Sequence, residues 1–86
     1  MISLDAVVEA LENWGAVEDV TFGQRTAQIE TTGTIHYESL LLEQDDEGII
    51  SIKDVESGYV LGVSRPGYST GEVAAMVLKL AVYGNV

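Results

Sequence analysis

Hydrophobic and polar residues between Thr34 and Arg65 alternate in short runs that are typical of β-strands. Three runs rich in Ile, Val, Leu and Tyr, at 34–43, 49–55 and 59–65, are separated by clusters of acidic residues, Ser and Gly. Short runs of this kind, bounded by turn-forming residues, predict consecutive antiparallel strands. This stretch therefore predicts the centre of an antiparallel sheet.

Polar and apolar side chains do not alternate regularly in the first of these three strands. One face receives Ile35, Tyr37 and Leu41, and the other receives His36, Glu38, Leu40 and Leu42. Because polar residues give way to apolar ones around Ser39, the strand either carries a bulge there or is apolar on both faces at its far end. In the last strand, strict alternation separates Tyr59, Leu61 and Val63 from Val60, Gly62 and Ser64.

Residues 4–14 have the periodicity of an amphipathic helix, with apolar residues at i, i+3, i+4 and i+7: Leu4, Val7, Val8 and Leu11. Ser3 is suited to the N-cap. Gly15 stands where a left-handed residue commonly ends a helix. We predict that Trp14, at the end of this helix, packs over the edge of the sheet as part of the core.

Two further strands are predicted between this helix and Thr34, at 17–22 and 25–32. Val20 and Phe22 are expected to point inward. The pair Gly23-Gln24 suits a two-residue type II′ hairpin turn, in which Gly takes the first central position. The return strand alternates Ala27 and Ile29 against polar neighbours.

The C-terminal part predicts a turn and a second helix. Pro66-Gly67 suits the central positions of a type II turn. Ser69 and Glu72 have the spacing of a capping box, so the helix starts there and runs to about Tyr83. This helix is apolar nearly all round, which predicts burial on more than one side and a buried position for Val73, Val77 and Leu80. Either the first helix lies beside it, or it forms a dimer contact.

The predicted fold is α+β: a five-stranded antiparallel meander with an N-terminal and a C-terminal helix packed on one face. The whole chain, 1–86, is expected to form a single domain. The opposite, open face of the sheet is expected to present polar residues to water: Gln28, Glu30, Thr32, His36, Glu38, Ser51 and Lys53.

The charge balance narrows the classes of partner. Fourteen acidic against four basic residues give a net charge of −10. This argues against binding to nucleic acid or an anionic membrane, because each phosphate contact needs Lys or Arg. The acidity is explained by solubility, by a salt-adapted cytosol, or by attraction of a basic protein. No basic start followed by an apolar core indicates secretion, and no apolar run is long enough to span a membrane, so we expect a cytoplasmic protein.

Candidate chemistry is sparse. One histidine, His36, and no cysteine exclude a two-histidine metal site, although His36 and Glu38 have a spacing compatible with a weak surface contact to a metal. No nucleophile elbow is present, and the acidic run 44–48 lacks the ligand spacing of a calcium loop. Residues 67–71 open a helix near Arg65 and suit an anion, but helix capping explains the same residues. We therefore predict no catalysis, no cofactor and no metal.

Partner binding is the remaining class, and the acids around 38–47 are the candidates for it. We predict that a basic protein partner contacts Glu38, Glu43, Asp45, Asp46 and Glu47. If these acids confer solubility alone, the apolar end of the open face, around Leu40, Leu42 and Val60, is the place to look for an interface.

The end of the first helix at Asn13-Trp14-Gly15, the meander, the strand Tyr59–Arg65 and the closing Tyr83-Gly84 resemble small immunity proteins of bacterial polymorphic toxin systems. The likeness covers most of the chain in the order of its elements. It implies a protein that binds and blocks a cognate toxin and has no activity of its own. It assigns no binding residues.

These observations favour a small acidic immunity or inhibitor protein that blocks a basic toxin or nuclease-like enzyme by occlusion. Two alternatives come from other classes. One is a phage-type anti-defence protein whose acids imitate the phosphates of nucleic acid. The other is a structural domain of a salt-adapted organism, forming a homodimer through its C-terminal helix.

Overall fold

The structure, a computed structural model, describes residues 2–31 and 37–83. The helices and strands, in order, are α1 (Leu4–Asn13), β1 (Val17–Gly23), β2 (Thr26–Thr31), β3 (Ser39–Gln44), β4 (Ile50–Asp54), β5 (Val60–Val63) and α2 (Thr70–Tyr83). The strands form one antiparallel sheet in the order β1-β2-β3-β4-β5. The predicted α+β meander with two terminal helices is confirmed. The start of the predicted third strand, at 34–36, lies outside the described residues.

Both helices pack on the same face of the sheet, which we call the helix face. The core between them contains Leu4, Val7, Val8 and Leu11 from α1, together with inward residues of β2, β3 and β4 and of α2. The four α1 residues are the stripe that the helical periodicity predicted. Ser3 caps this helix by accepting a hydrogen bond from the Ala6 backbone N–H at 3.1 Å. Gly15 has a φ of 72°, so the predicted left-handed position is confirmed.

The prediction that Trp14 belongs to the core is wrong, because its side chain is 50% exposed. Trp14 is the C-cap residue of α1, three positions after the last buried residue, Leu11. It therefore lies at the margin of the buried stripe and beyond the part of the helix that packs on the sheet.

The first hairpin is shifted by one residue from its predicted register. Gly23 pairs with Thr26, so the two connecting residues are Gln24 and Arg25, and Arg25 takes the left-handed conformation with φ 61°. A Cβ at Gly23 would lie 2.4 Å from Thr26 Oγ1, so a larger residue there would require the Thr26 side chain to move. Phe22 shares the helix face with buried Ala27 but is 53% exposed, because β1 is an edge strand.

The second helix begins with the predicted capping box. Ser69 Oγ accepts a hydrogen bond from the Glu72 N–H at 3.1 Å, and Glu72 Oε1 accepts one from the Ser69 N–H at 3.0 Å. Before it, Gly67 has φ 93° and the Tyr68 N–H donates to the Arg65 carbonyl, as the predicted type II turn requires.

The apolar character of α2 is explained by α1 lying beside it on the helix face. Val73 and Val77 are buried as predicted, whereas Leu80 is half-buried. Leu80 lies over β5, where a Cβ added to Gly62 would be 3.0 Å from Leu80 Cδ1. Glycine at this position allows α2 to approach the last strand closely.

Strand β5 departs from the strict alternation expected of it. The register shifts by one residue between Ile52 and Lys53, so Val60 pairs with Lys53 and Val63 pairs with Ser51. Because of this bulge, Val60 and Val63 lie on the same face of the sheet, the open one. Beyond the bulge, Ser64 is buried and ties the end of β5 to β4: its N–H donates to the Ile50 carbonyl at 2.8 Å, and its Oγ accepts from the Ile50 N–H at 2.9 Å.

We expect Ser64→Ala to lower the free energy of unfolding by about 1–3 kcal/mol, because it leaves the buried Ile50 N–H without its acceptor. The exposed Ser57, whose hydroxyl donates to Asp54, provides the matched control. Ser57→Ala should change the stability by less than about 0.5 kcal/mol, as is usual for surface substitutions. Urea unfolding of both variants measures the difference, and equal losses would contradict a structural role for the Ser64 hydroxyl.

Candidate partner-binding surface

The open face of the sheet is not covered by either described helix. One row of residues crosses it from edge to edge through paired positions: Thr21, Gln28, Leu41, Lys53 and Val60. A second row, nearer the start of β1, pairs Asp19 with Glu30 and Glu30 with Ser39. The acids therefore lie towards β1, β2 and β3, and the apolar residues towards β5.

Four of the five predicted partner-binding residues lie together where β3 turns into β4. We call Glu43, Asp45, Asp46 and Glu47 the turn cluster. Asp45 Oδ1 accepts hydrogen bonds from the backbone N–H groups of Glu47 and Ile49, both at 2.9 Å. Gly48 follows with φ 86°. The Asp45 carboxylate is thus a structural part of the turn, and an amide at the same position keeps an oxygen for the same two donors.

Two members of the turn cluster have a basic partner within the chain. Asp46 forms an exposed ion pair with Arg25 from the β1–β2 turn. Glu43 pairs with Lys53 of β4, with Nζ and Oε1 3.1 Å apart. Among the described residues, no ion pair involves Glu47. The two bases lower the net charge of this region, so the turn cluster is less negative than its sequence indicates.

Glu38 does not join the turn cluster. It precedes β3, five residues before Glu43, and at about 3.3 Å per residue in a strand the two lie roughly 16 Å apart. Its carbonyl accepts the Thr31 N–H at 2.9 Å, which ties it to the end of β2.

Glu38 lies instead near the opposite end of the sheet, close to where β1 begins and β2 ends. We call the acids of this end, Glu18, Asp19, Glu30 and Glu38, the edge cluster. Asp19 and Glu30 lie on the open face, whereas Glu38 is opposite Thr31, which is buried on the helix face. Asp19 pairs across β1 and β2 with Glu30, and Glu18 lies at the irregularity between Val17 and Asp19. The Ser39 hydroxyl donates to Glu30, and Gln28 Nε2 lies 3.4 Å from the same carboxylate. No base of the described residues pairs with this cluster. Sequence reasoning missed it because its members come from three separate segments. Of these acids, strand register pairs Asp19 with Glu30 directly.

The apolar part of the open face differs from the one expected around Leu40 and Leu42. Both of these side chains are fully buried on the helix face, and Leu41, between them, is half-buried on the open face. No register shift occurs along β3. The polarity of β3 was explained above either by a bulge near Ser39 or by apolar residues on both faces. Residues 39–44 fit the second explanation. Val60, 51% exposed, does lie on the open face as expected.

The N-terminus of α2 is occupied by the chain itself. Glu72 accepts the Ser69 N–H, so a carboxylate already lies where an anion would bind. A shallow depression of about 530 Å³ lies beside it and is lined by residues that include Arg65, Tyr68 and Glu47. Within 2–31 and 37–83, no three His, Asp or Glu side chains converge as metal ligands. His36 lies outside the described residues.

Comparison with protein-family models, with curated proteins and with solved structures finds no match to this chain. Neither α1 nor α2 has the length and apolar composition needed to cross a membrane.

Proposed function

We propose that this chain is a small acidic binding protein that blocks a basic protein by occlusion, in the manner of an immunity or inhibitor protein. The resemblance in element order to immunity proteins of toxin systems motivates the choice of a toxin or nuclease-like enzyme as the partner. On this proposal the chain performs no chemistry of its own and acts by covering the partner's functional surface.

The observation that carries the proposal is the acidic, uncovered face of the sheet. The turn cluster lies at one end of it and the edge cluster at the other, and the base on this face, Lys53, is already paired with Glu43. A sheet face with acids at both ends and half-buried Leu41 between them has a polar margin and a less polar centre. Protein interfaces commonly have this arrangement.

Electrostatic attraction is expected to act mainly on the rate of association. Exposed charges at the margin of an interface contribute about 0.2–1 kcal/mol each and steer the partner during its approach. The edge cluster should contribute more per carboxylate than the turn cluster, because no described base neutralises it.

The proposal is tested by capture from the organism that encodes the chain. The immobilised chain is incubated with lysate at about 0.05 M ionic strength, washed, and eluted at about 0.5 M, where screening confines charge interactions to a few ångströms. Mass spectrometry then identifies the eluted proteins. The proposal predicts a specific basic protein whose activity the chain inhibits. Recovery of acidic or neutral proteins only, with no inhibited activity, would overturn it.

Charge-neutralising variants locate the interface. Asp45→Asn, Asp46→Asn and Glu47→Gln together should weaken binding by roughly 1–3 kcal/mol, mostly through a slower association rate. The fold should be retained, because the amide that replaces the Asp45 carboxylate still offers the turn an acceptor oxygen. Glu18→Gln, Asp19→Asn and Glu38→Gln together should weaken binding further. A third triple variant removes acids from α1, on the opposite side of the sheet: Asp5→Asn, Glu9→Gln and Glu12→Gln.

All three variants have the same net charge of −7, because each removes three of the acids that give −10. Surface plasmon resonance against the captured partner compares them. If the α1 variant binds as weakly as the turn and edge variants, the acids act only through net charge and the open face is not the interface.

A further inference from the structure

Exposed apolar side chains concentrate around β5. Six large hydrophobic residues of the described part of the chain are at least 40% exposed. Two of them, Trp14 and Phe22, lie at the end of α1 and on β1. The other four we call the β5 surface: Val55, Tyr59, Val60 and Val63. Tyr59 is 74% exposed, and Val60 and Val63 are exposed by half. Four exposed apolar residues gathered within residues 55–63 of a small protein point to an interaction site.

Acidic residues, in contrast to the exposed apolar ones, are scarce in the last third of the chain. Of the fourteen acids only Glu72 follows residue 56, and of the four bases both Arg65 and Lys79 do. The segment 57–86 therefore has a net charge of +1, and the preceding 56 residues have −11. The acids that would repel a like-charged neighbour are concentrated in the part of the chain that precedes β5.

We propose that two copies of this chain associate through their β5 surfaces about a two-fold axis. Two molecules of net charge −10 repel each other, so an interface between them is favoured where the local charge is smallest and the exposed apolar area is largest. The β5 surface lies within residues 53–65, where two acids and two bases leave no net charge, and it holds four of the six exposed large hydrophobic residues described above. Strand β5 is at the opposite edge of the sheet from β1, so the association is compatible with binding of a basic partner at the edge cluster.

The two ends of β5 carry opposite charges. Glu56 lies in the turn before the strand and Arg65 follows it, and neither forms an ion pair with a described residue. A two-fold axis through the middle of β5, between Leu61 and Gly62, places Val60 of each copy opposite Val63 of the other. The same axis directs Arg65 of each copy towards Glu56 of the other. The two ends of β5 are thus complementary in charge across this axis.

Side chains, more than backbone hydrogen bonds, are expected to hold this contact. Strand β5 has only four residues and contains a bulge, and both features limit pairing at a sheet edge. The helix α2 is a poorer surface for self-association, because its exposed positions are small or polar: Gly71, Glu72, Ala75 and Lys79. Of its apolar side chains up to Val82, four are buried, at Val73, Ala74, Val77 and Ala81, and the others apart from the exposed Ala75 are half-buried.

Sedimentation velocity of the purified chain tests the proposal directly. We expect a concentration-dependent dimer whose dissociation constant falls as salt is raised from about 0.1 M to about 1 M, because the Debye length shrinks from about 10 to about 3 Å and screens the repulsion between the copies. This salt dependence has the opposite sign to that expected for a basic partner. A monomer at all soluble concentrations in high salt would overturn the proposal.

Val60→Lys and Thr21→Lys form a matched pair for locating the interface. They occupy opposite ends of one row of the open face, both sites are exposed, and both variants have a net charge of −9. Val60→Lys should raise the dissociation constant of the dimer by about tenfold or more, the effect of losing one apolar anchor. Thr21→Lys should leave it unchanged or lower it. Equal responses of the two variants would contradict the β5 surface.

A charge swap tests the two-fold arrangement. Arg65→Glu should raise the dissociation constant by about two- to thirtyfold, since two exposed ion pairs become repulsive in each dimer. Adding Glu56→Arg should restore it. Adding Glu9→Arg on α1 instead gives the same net charge without restoring the pair, and should not rescue the dimer. Rescue by both second changes would show that only net charge matters and would overturn the arrangement.

These measurements use the purified chain alone, so they are independent of the proposed function. The Glu18, Asp19 and Glu38 variant should dimerise at least as well as the original chain, although it binds the basic partner less well. If Val60→Lys abolishes partner capture while the original chain stays monomeric, the β5 surface belongs to the partner and self-association is refuted.

Discussion

Val77→Asp is expected to lower the free energy of unfolding by about 3–5 kcal/mol at neutral pH, close to the limit of what a domain of this size tolerates. The Val77 side chain is 1% exposed and lies in the core between α2, α1 and the sheet. A carboxylate at this position is buried without a cation, so it unfolds the helix or takes up a proton. Urea unfolding monitored by circular dichroism measures the loss.

Ala75→Asp is the matched control, because Ala75 is exposed on the same helix two residues earlier. It introduces the same charge with the same intrinsic helix preference, and should cost about 0.5–1 kcal/mol at most. Comparable losses for the two variants would show that α2 is peripheral to the fold.

Leu42→Ala should lower the stability by about 2–5 kcal/mol, because it leaves a cavity in the centre of the sheet's buried face. Leu42 is fully buried between Ala27 and Ile52 of the neighbouring strands. Leu41→Ala, one residue away on the open face, should cost less than about 1.5 kcal/mol, since its side chain is only half-buried. The ratio of the two losses shows which of the two side chains lies on the buried face of the sheet. A larger loss at Leu41 would contradict the register of this strand.

Much of the fold could be predicted because local rules and tertiary packing agree. The α1 stripe, the caps at Ser3 and Ser69, the left-handed Gly15 and the turn at Pro66-Gly67 follow from short-range geometry. The order of five antiparallel strands follows from short connections, which leave little choice of topology.

Errors arose where tertiary context decides. Alternation along β1 places Phe22 on the helix face, but Phe22 lies near the end of an edge strand and is 53% exposed. The bulge in β5 places Val60 and Val63 on one face, and only the pairing with β4 reveals it. In the first hairpin the left-handed residue is Arg25 and not a glycine, which composition does not indicate.

The candidate surface was predicted only in part for a similar reason. Acid density along the chain points to the β3–β4 turn, but it does not show that Arg25 pairs with Asp46 or that Lys53 pairs with Glu43. The edge cluster draws its acids from β1, β2 and the residue before β3. Its acids are far apart along the sequence, so a count of acids per segment does not reveal them.

Association rates measured against salt show whether the acids of the open face attract a basic protein. The captured partner is mixed with the original chain and with the turn, edge and α1 triple variants. Each rate is measured from low ionic strength up to about 0.15 M, where the Debye length is about 8 Å. We expect the association rate of the original chain and of the α1 variant to fall steeply as salt is raised. We expect a slower rate that depends less on salt for the turn variant, and the slowest rate with the weakest salt dependence for the edge variant. Identical salt dependence for all four proteins would contradict this attraction.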